Sequence, residues 1–303
     1  MLWLAGLMGI LAVGAVGVID MDTTSEEASS EEDPADNTAI DANEQVGTED
    51  VSSTNAEGAE GETVDDQVQH GSETADTLTG GAGDDSLHGQ DGDDLLAGEG
   101  GEDTVIGGNG DDTLLGGDGN DALQGSMGDD LVSGSAGDDA VQGGSGSDTL
   151  TGGMGSDTLF GGWDDDIVSG VEDDPNTAEL DDADTGDFLN GGGGDDTIIA
   201  GQDDTVTTGE GADTIVGGSW IAEGGTVDIV DFDANDDNIL LIYEDGGDVP
   251  DISLIGDENN PEVTQVFMDG IAVANILNGA EIGMEHISIM PLSLAQSAGM
   301  APL

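Results

Sequence analysis

Gly107-Gly108-Asn109-Gly110-Asp111-Asp112-Thr113-Leu114-Leu115 is one of eleven nine-residue units that follow one another without a slip from Gly71 to Ser169. Gly opens every unit, and Leu or Val fills every eighth place, from Leu78 and Leu87 to Leu159 and Val168. The sixth place is always Asp: Asp76, Asp85, Asp94, Asp103, Asp112, Asp121, Asp130, Asp139, Asp148, Asp157 and Asp166. The fourth place is Gly in nine of the eleven, Thr74 and Asp164 being the exceptions. Low sequence complexity alone does not hold three positions in register over such a length.

The period has a direct structural reading. Six residues rich in Gly, Asp and Asn predict a turn, since Gly reaches positive φ at little steric cost. The remaining three predict a short strand, in which alternation sends the eighth residue inward and the seventh and ninth outward. Two units then complete a coil of 18 residues, and the coils stack into an all-β, right-handed parallel β-roll of two narrow sheets. Its core is a ladder of Leu and Val, too thin to hold the fold alone. Stacking at about 4.8 Å puts each loop beside the one two units on, so that Asp76 and Asp94, or Asp85 and Asp103, are expected to face the same gap.

Composition says what must occupy such gaps. The chain of 303 residues has 70 Asp plus Glu and no Lys or Arg, a formal net charge of −70. Intramolecular salt bridges to Lys or Arg are therefore absent, and self-repulsion opposes compaction. Nucleic acid is excluded as a partner, because phosphate binding rests on cationic side chains. Lysine Schiff bases, arginine clamps and cysteine nucleophiles are excluded with them. With no Cys, disulfides cannot staple the chain. Calcium suits gaps lined by carboxylate and carbonyl oxygen, taking about six to eight hard oxygen ligands in forgiving geometry, whereas zinc prefers nitrogen and sulfur and magnesium a tighter octahedron.

The repeated G-G-x-G-x-D-x-U-x of residues 71–169 resembles the hemolysin-type calcium-binding nonapeptide of RTX proteins. The resemblance implies a calcium-filled parallel β-roll whose ions are held by the sixth-place Asp and loop carbonyls. Carried over residue by residue, it implicates the eleven aspartates above. In a looser second run it implicates Asp187, Asp196, Asp204 and Asp213, with one eight-residue step between Asp196 and Asp204. Counting gaps between the strict loops gives about nine calcium ions. At a Kd near 1 mM, about 10 mM calcium would contribute roughly 1.4 kcal/mol per site. The sum is of the order of a domain's whole stability, about 5–15 kcal/mol, so the roll is expected to fold only with calcium.

The flanks read differently. Residues 1–19 are all apolar or Gly, at roughly 28 Å as a helix long enough to cross a bilayer. This segment is expected to be an apolar helix, either a retained membrane anchor or a cleaved signal, with the acidic bulk outside the cell. Residues 20–70 are acidic and Ser/Thr-rich, the composition of a disordered, self-repelling linker. Residues 170–225 hold an insert, Val171-Glu172-Asp173-Asp174-Pro175-Asn176, and the second run. In 226–303 glycine thins and apolar runs appear at Val227–Val230, Ile239–Tyr243, Val263–Met268 and Ile271–Ile276, the last two flanking the hairpin signal Asp269-Gly270. A small antiparallel C-terminal β cap is expected there, closing the last rung.

Other features receive plainer readings. The fifth-place Asp84, Asp93, Asp111, Asp129 and Asp138 read as a solvated face. Asp231 to Asp236 fails as an EF-hand, with Asp236 where Gly is required and Ile242 where Glu is required. His70, His88 and His286 are scattered, and neither H-E-x-x-H nor G-x-S-x-G occurs. Trp163 and Trp220 are expected to pack at an edge or under the cap, and outward Leu95, Ile106, Leu115, Leu131 and Phe160 are candidates for a partner surface. The expectation is a non-enzymatic calcium-binding protein, exported or displayed at the cell surface. The other reading is an adhesin or matrix protein in which the roll is a spacer and the C-terminal segment binds a partner.

Overall fold

The computed structural model describes residues 66–172, 186–221, 225–257, 260–277, 282–298 and 300. The apolar segment 1–19, the acidic stretch through 65 and most of the insert lie outside the described residues, so the anchor, signal and linker readings do too.

Every unit contributes a strand, and alternate strands go to alternate sheets, one of twelve strands and one of ten. Between neighbours along the repeats the pairing is parallel and the eighth places lie in register: Leu87 beside Val105 beside Leu123 in one sheet, Leu96 beside Leu114 beside Val132 in the other. The result is a parallel β-solenoid of about 8 turns. From Leu87 to Val168 these inward side chains are at most 2% exposed. They form the thin ladder expected, each worth about 1.5–3 kcal/mol by burial.

The strands are longer than the period suggested. Thr104–Asn109, Thr113–Asp118 and Ala122–Met127 each run six residues, because the chain stays extended through the first three places of the next unit. The turn is confined to places four to six. Two kinds of glycine make this possible. At place four the backbone needs positive φ, as at Gly110 (129°) and Gly119 (136°). At place one it is closeness that requires glycine: a Cβ on Gly98 would lie 2.6 Å from the Gly116 carbonyl oxygen and 2.8 Å from Asp103 Cγ. Place two also takes positive φ, and Gln90 (88°) and Glu99 (78°) occupy it without being glycine, at some cost in strain.

The two ends differ from expectation in extent. Val68–His70 already pairs in parallel with Ser86–His88, so the stack begins before Gly71, in residues whose composition reads as linker. At the other end, Val227–Ile229 and Asn238–Tyr243 still pair in parallel with the strands of the second run. Ile271–Ile276 and Ile287–Pro291 add a further parallel rung. Among the described residues, only Ile252–Gly256, Thr264–Met268 and Ile271–Ile276 pair antiparallel with one another. The C-terminal segment is thus largely a continuation of the roll, and the antiparallel part is a three-strand addition. The expected hairpin is present, with Asp269 at φ 52° and Gly270 at φ 84°, the two positive values a type I′ turn demands. Trp220 packs inside as expected, 5% exposed, its Nε1 donating to the Ala200 carbonyl at 3.0 Å. Trp163 does not: it stands 70% exposed.

Candidate metal centre

The sixth-place aspartates from Asp85 to Asp166, with Asp187, Asp196, Asp204 and Asp213, are all buried, between 0 and 4% exposed. Burying a carboxylate is costly unless it is paired and hydrogen-bonded, and each of these meets half of that requirement in one way. Its Oδ1 accepts a backbone N–H from the sixth-place residue one coil earlier: Asp112 to Asp130 at 2.8 Å, Asp130 to Asp148 at 2.9 Å, Asp139 to Asp157 at 2.7 Å. The chain of bonds bridges the insert unbroken, from Asp157 to Asp187 at 2.7 Å and from Asp166 to Asp196 at 2.8 Å. The structure therefore brings the strict run and the second run into two continuous ladders. The carboxylates do not face each other across a gap; all lean toward the N-terminal end, one into each gap.

The other oxygen is the informative one. Oδ2 of every sixth-place Asp from Asp85 to Asp166, and of Asp196 and Asp213, is buried and accepts no hydrogen bond. A buried anionic oxygen without a donor costs several kcal/mol, and repeating it along two ladders calls for a cation. The surroundings are suitable. Carbonyl oxygens crowd the same place-one glycines that crowd the carboxylates: a Cβ on Gly89 would lie 2.7 Å from the Gly107 oxygen and 3.0 Å from Asp94 Cγ. Each gap thus offers one inner carboxylate and backbone carbonyls, a hard-oxygen donor set that fits calcium. No group of three His, Cys, Asp or Glu side chains forms a metal cluster among the described residues. That is consistent with sites that draw one buried carboxylate and several carbonyls from different coils.

Electrostatics agree with the geometry. Burial pushes Asp130, Asp139, Asp166 and Asp213 up to about 7, and Asp112, Asp148 and Asp196 up to about 6; the N–H bond from the preceding Asp works against the shift, and neighbouring carboxylates add to it. Asp103, Asp121 and Asp157 are raised as well, again chiefly by burial. Without a cation, ionisation of the ladders opposes the fold.

The ladder ends behave differently. Asp76 is half-buried, and its Oδ2 accepts from Ser72 N–H at 2.6 Å and Ser72 Oγ at 2.8 Å. Asp204 Oδ2 accepts the Gly201 N–H at 2.6 Å. Ahead of Asp85 the sixth place is Gln67, whose backbone N–H bonds Asp85 Oδ1 and whose side-chain amide donates to the Gly80 carbonyl. Past Asp213 the ladder ends on Asp237, a residue the nonapeptide spacing did not single out. Asp237 is 2% exposed and takes the Asp213 N–H at 3.1 Å on one oxygen; the other accepts the Asp233 N–H at 2.8 Å and the Thr208 hydroxyl at 3.1 Å. The lost glycines and a 24-residue step hide it, although Asp237-Asn238-Ile239 keeps the D-x-U order.

Residues 70–105, 106–141, 133–168, 183–215 and 201–219 match the family described as RTX calcium-binding nonapeptide repeat (4 copies). The chain carries RTX calcium-binding repeats. The RTX matches lie on both ladders and leave a break between 168 and 183, where the coil is interrupted but the hydrogen-bond chain is not. No curated protein matches the chain. Among solved structures, the extracellular lipase LipA from Serratia marcescens is similar over 62% of this chain and 40% of its own, at 17% identity and a TM-score of 0.20. The chain therefore spans about 40% of that lipase's length, and a likeness of this degree transfers neither fold nor activity.

Proposed function

We propose that this is a non-enzymatic protein, exported or displayed at the cell surface, whose right-handed RTX roll folds by ligating calcium. The observation that carries the proposal is the row of buried Oδ2 atoms without a donor. The fold buries them away from any backbone N–H, the chain has no lysine or arginine to pair with them, and a divalent ion in each gap satisfies them. Asp76 to Asp166 and Asp187 to Asp213 supply the carboxylates, and the carbonyls around the place-one glycines supply the rest. The ion would contribute charge neutralisation and cross-linking between coils, so it acts as a structural ligand. Where calcium is scarce the roll stays unfolded; in millimolar calcium it is folded and rigid. Export is supported by the repeat family and by the calcium requirement, which extracellular fluid meets. The non-enzymatic reading is supported by the lack of Lys, Arg and Cys and of recognisable hydrolase motifs.

Far-ultraviolet circular dichroism of the full chain tests this directly. A strong β signal in about 10 mM calcium that disappears in chelator at pH 8 is expected; the same spectrum in both would overturn the proposal.

The spacer reading has its own support in the apolar side chains Ile255 (50% exposed) and Ile271 (43%) on the antiparallel addition and Val249 (64%) in the segment just before it. Replacing these three by Asp discriminates. Loss of cell attachment with calcium binding intact favours the spacer, and unchanged attachment removes it.

A further inference from the structure

The fifth place of each unit, read from the sequence as a solvated face, makes a second ladder with the opposite lean. Asp129 Oδ1 accepts the N–H of Ser147, one coil later, at 2.9 Å. Its neighbour in that coil, Asp148, sends Oδ1 back to the N–H of Asp130 at 2.9 Å. The gap between these two coils therefore receives two carboxylates, Asp129 from the N-terminal side and Asp148 from the C-terminal side. The same crossing recurs with Asp84 and Asp103 (2.9 and 2.7 Å), Asp111 and Asp130 (3.0 and 2.8 Å), and Asp138 and Asp157 (3.0 and 2.7 Å). In each of these gaps the inner Asp has a buried Oδ2 with no donor, and it is that atom, not the acidity of the surface, that marks the gap as a cation site.

Not all gaps are alike. Ala75 faces Asp94, Asn120 faces Asp139 and Ser147 faces Asp166, with no outer carboxylate. Asn120 nevertheless makes the same bond, its Oδ1 accepting the Asp138 N–H at 2.9 Å. The bond thus takes an oxygen at this place without needing a charge, and where a charge is present it adds a field of its own. Asp129 and Asp84 each count among the carboxylates that act on the inner Asp across their gap.

We propose that the fifth-place carboxylates grade calcium affinity along the roll: gaps that Asp84, Asp93, Asp111, Asp129 or Asp138 enter fill at lower calcium than those facing Ala75, Asn120 and Ser147. The inference rests on the calcium reading above and adds which sites fill first. An outer carboxylate repels the inner one in an empty gap and attracts a divalent ion placed between them. Because it is exposed and screened, one such charge should change the affinity of its gap about three- to tenfold. The charge of the oxygens around calcium is a recognised means of setting its affinity.

The test compares the unmodified full chain with the D84N/D93N/D111N/D129N/D138N variant and with an N120D/S147D variant. Calcium is titrated at pH 8 with folding followed by circular dichroism and bound ions counted by equilibrium dialysis with radioactive calcium. The expected result is the same number of ions at saturation in the first variant, with its midpoint about three- to tenfold higher, and a lower midpoint in the second. An unchanged or lower midpoint in the first variant overturns the inference while leaving the calcium reading in place, because the outer acids would then only repel. An unmodified chain that takes up no calcium overturns both.

Discussion

In the metal-free protein, acid should substitute for calcium. Asp130 is held at about 7 in the fold, against 3.8 for a free Asp, and burial is the main cause. A shift of about 3 units corresponds to about 4 kcal/mol, the cost of folding with this group ionised. The sign follows from the raised value. The folded form keeps a proton that the unfolded form has lost, so stability from this group is complete below about pH 4 and is lost as pH rises through about 7. At pH 8 the cost is about 4 kcal/mol, and at pH 5 about 2 kcal/mol. Asp139, Asp166 and Asp213 are held as high, so the metal-free fold carries several such costs at pH 8, against the ~5–15 kcal/mol that holds an ordinary domain. The assay is circular dichroism of the calcium-stripped chain from pH 8 down to pH 5, stopping above the isoelectric point of about 4.1 to keep it soluble. A β signal that is weak at pH 8 and grows as pH falls through 7 to 5 is expected. With saturating calcium the order reverses, since ions must displace these protons. A metal-free chain whose β content does not rise on acidification would refute the reasoning.

Further substitutions read other parts of the same structure. Leu114, fully buried in the ladder, should cost about 2–5 kcal/mol on replacement by Ala, seen as a higher calcium midpoint for folding. Gly116→Ala places a Cβ 2.6 Å from the Gly134 oxygen, and a clash with backbone cannot be relieved by a rotamer change. It should disrupt the local coils, whereas Gly256→Ala, with nothing within 4 Å, should leave the midpoint unmoved. Asp130→Asn keeps a side-chain oxygen for the Asp112 N–H but removes a buried charge. The chain should then bind fewer calcium ions by equilibrium dialysis, yet fold more readily in chelator. Asp237→Ala leaves the Asp213 and Asp233 N–H groups and the Thr208 hydroxyl without their acceptor. A loss of about 1–3 kcal/mol is expected, read as earlier hydrogen exchange in 227–243 than in the middle of the roll.

What the sequence determined by itself was the part that repeats. A nine-residue period with inward Leu or Val at place eight settles the two parallel sheets, since only stacking buries a side chain that a single coil leaves bare. An invariant Asp at place six, in a chain without Lys or Arg, marks the cation-binding loops. The tertiary structure decided what periodicity does not carry. Which way each carboxylate leans depends on which N–H of the adjacent coil lies within reach, and this turned expected facing pairs of sixth-place aspartates into ladders that lean one way, crossed by fifth-place carboxylates that lean the other. The ladder ends at Gln67 and Asp237 carry no full nonapeptide; they are held by hydrogen bonds to the last regular rung, from residues distant in sequence. The fifth-place aspartates looked like ordinary solvated charge for the same reason: along the chain they are merely exposed, and only stacking brings each one to the gap where a buried carboxylate lacks a partner.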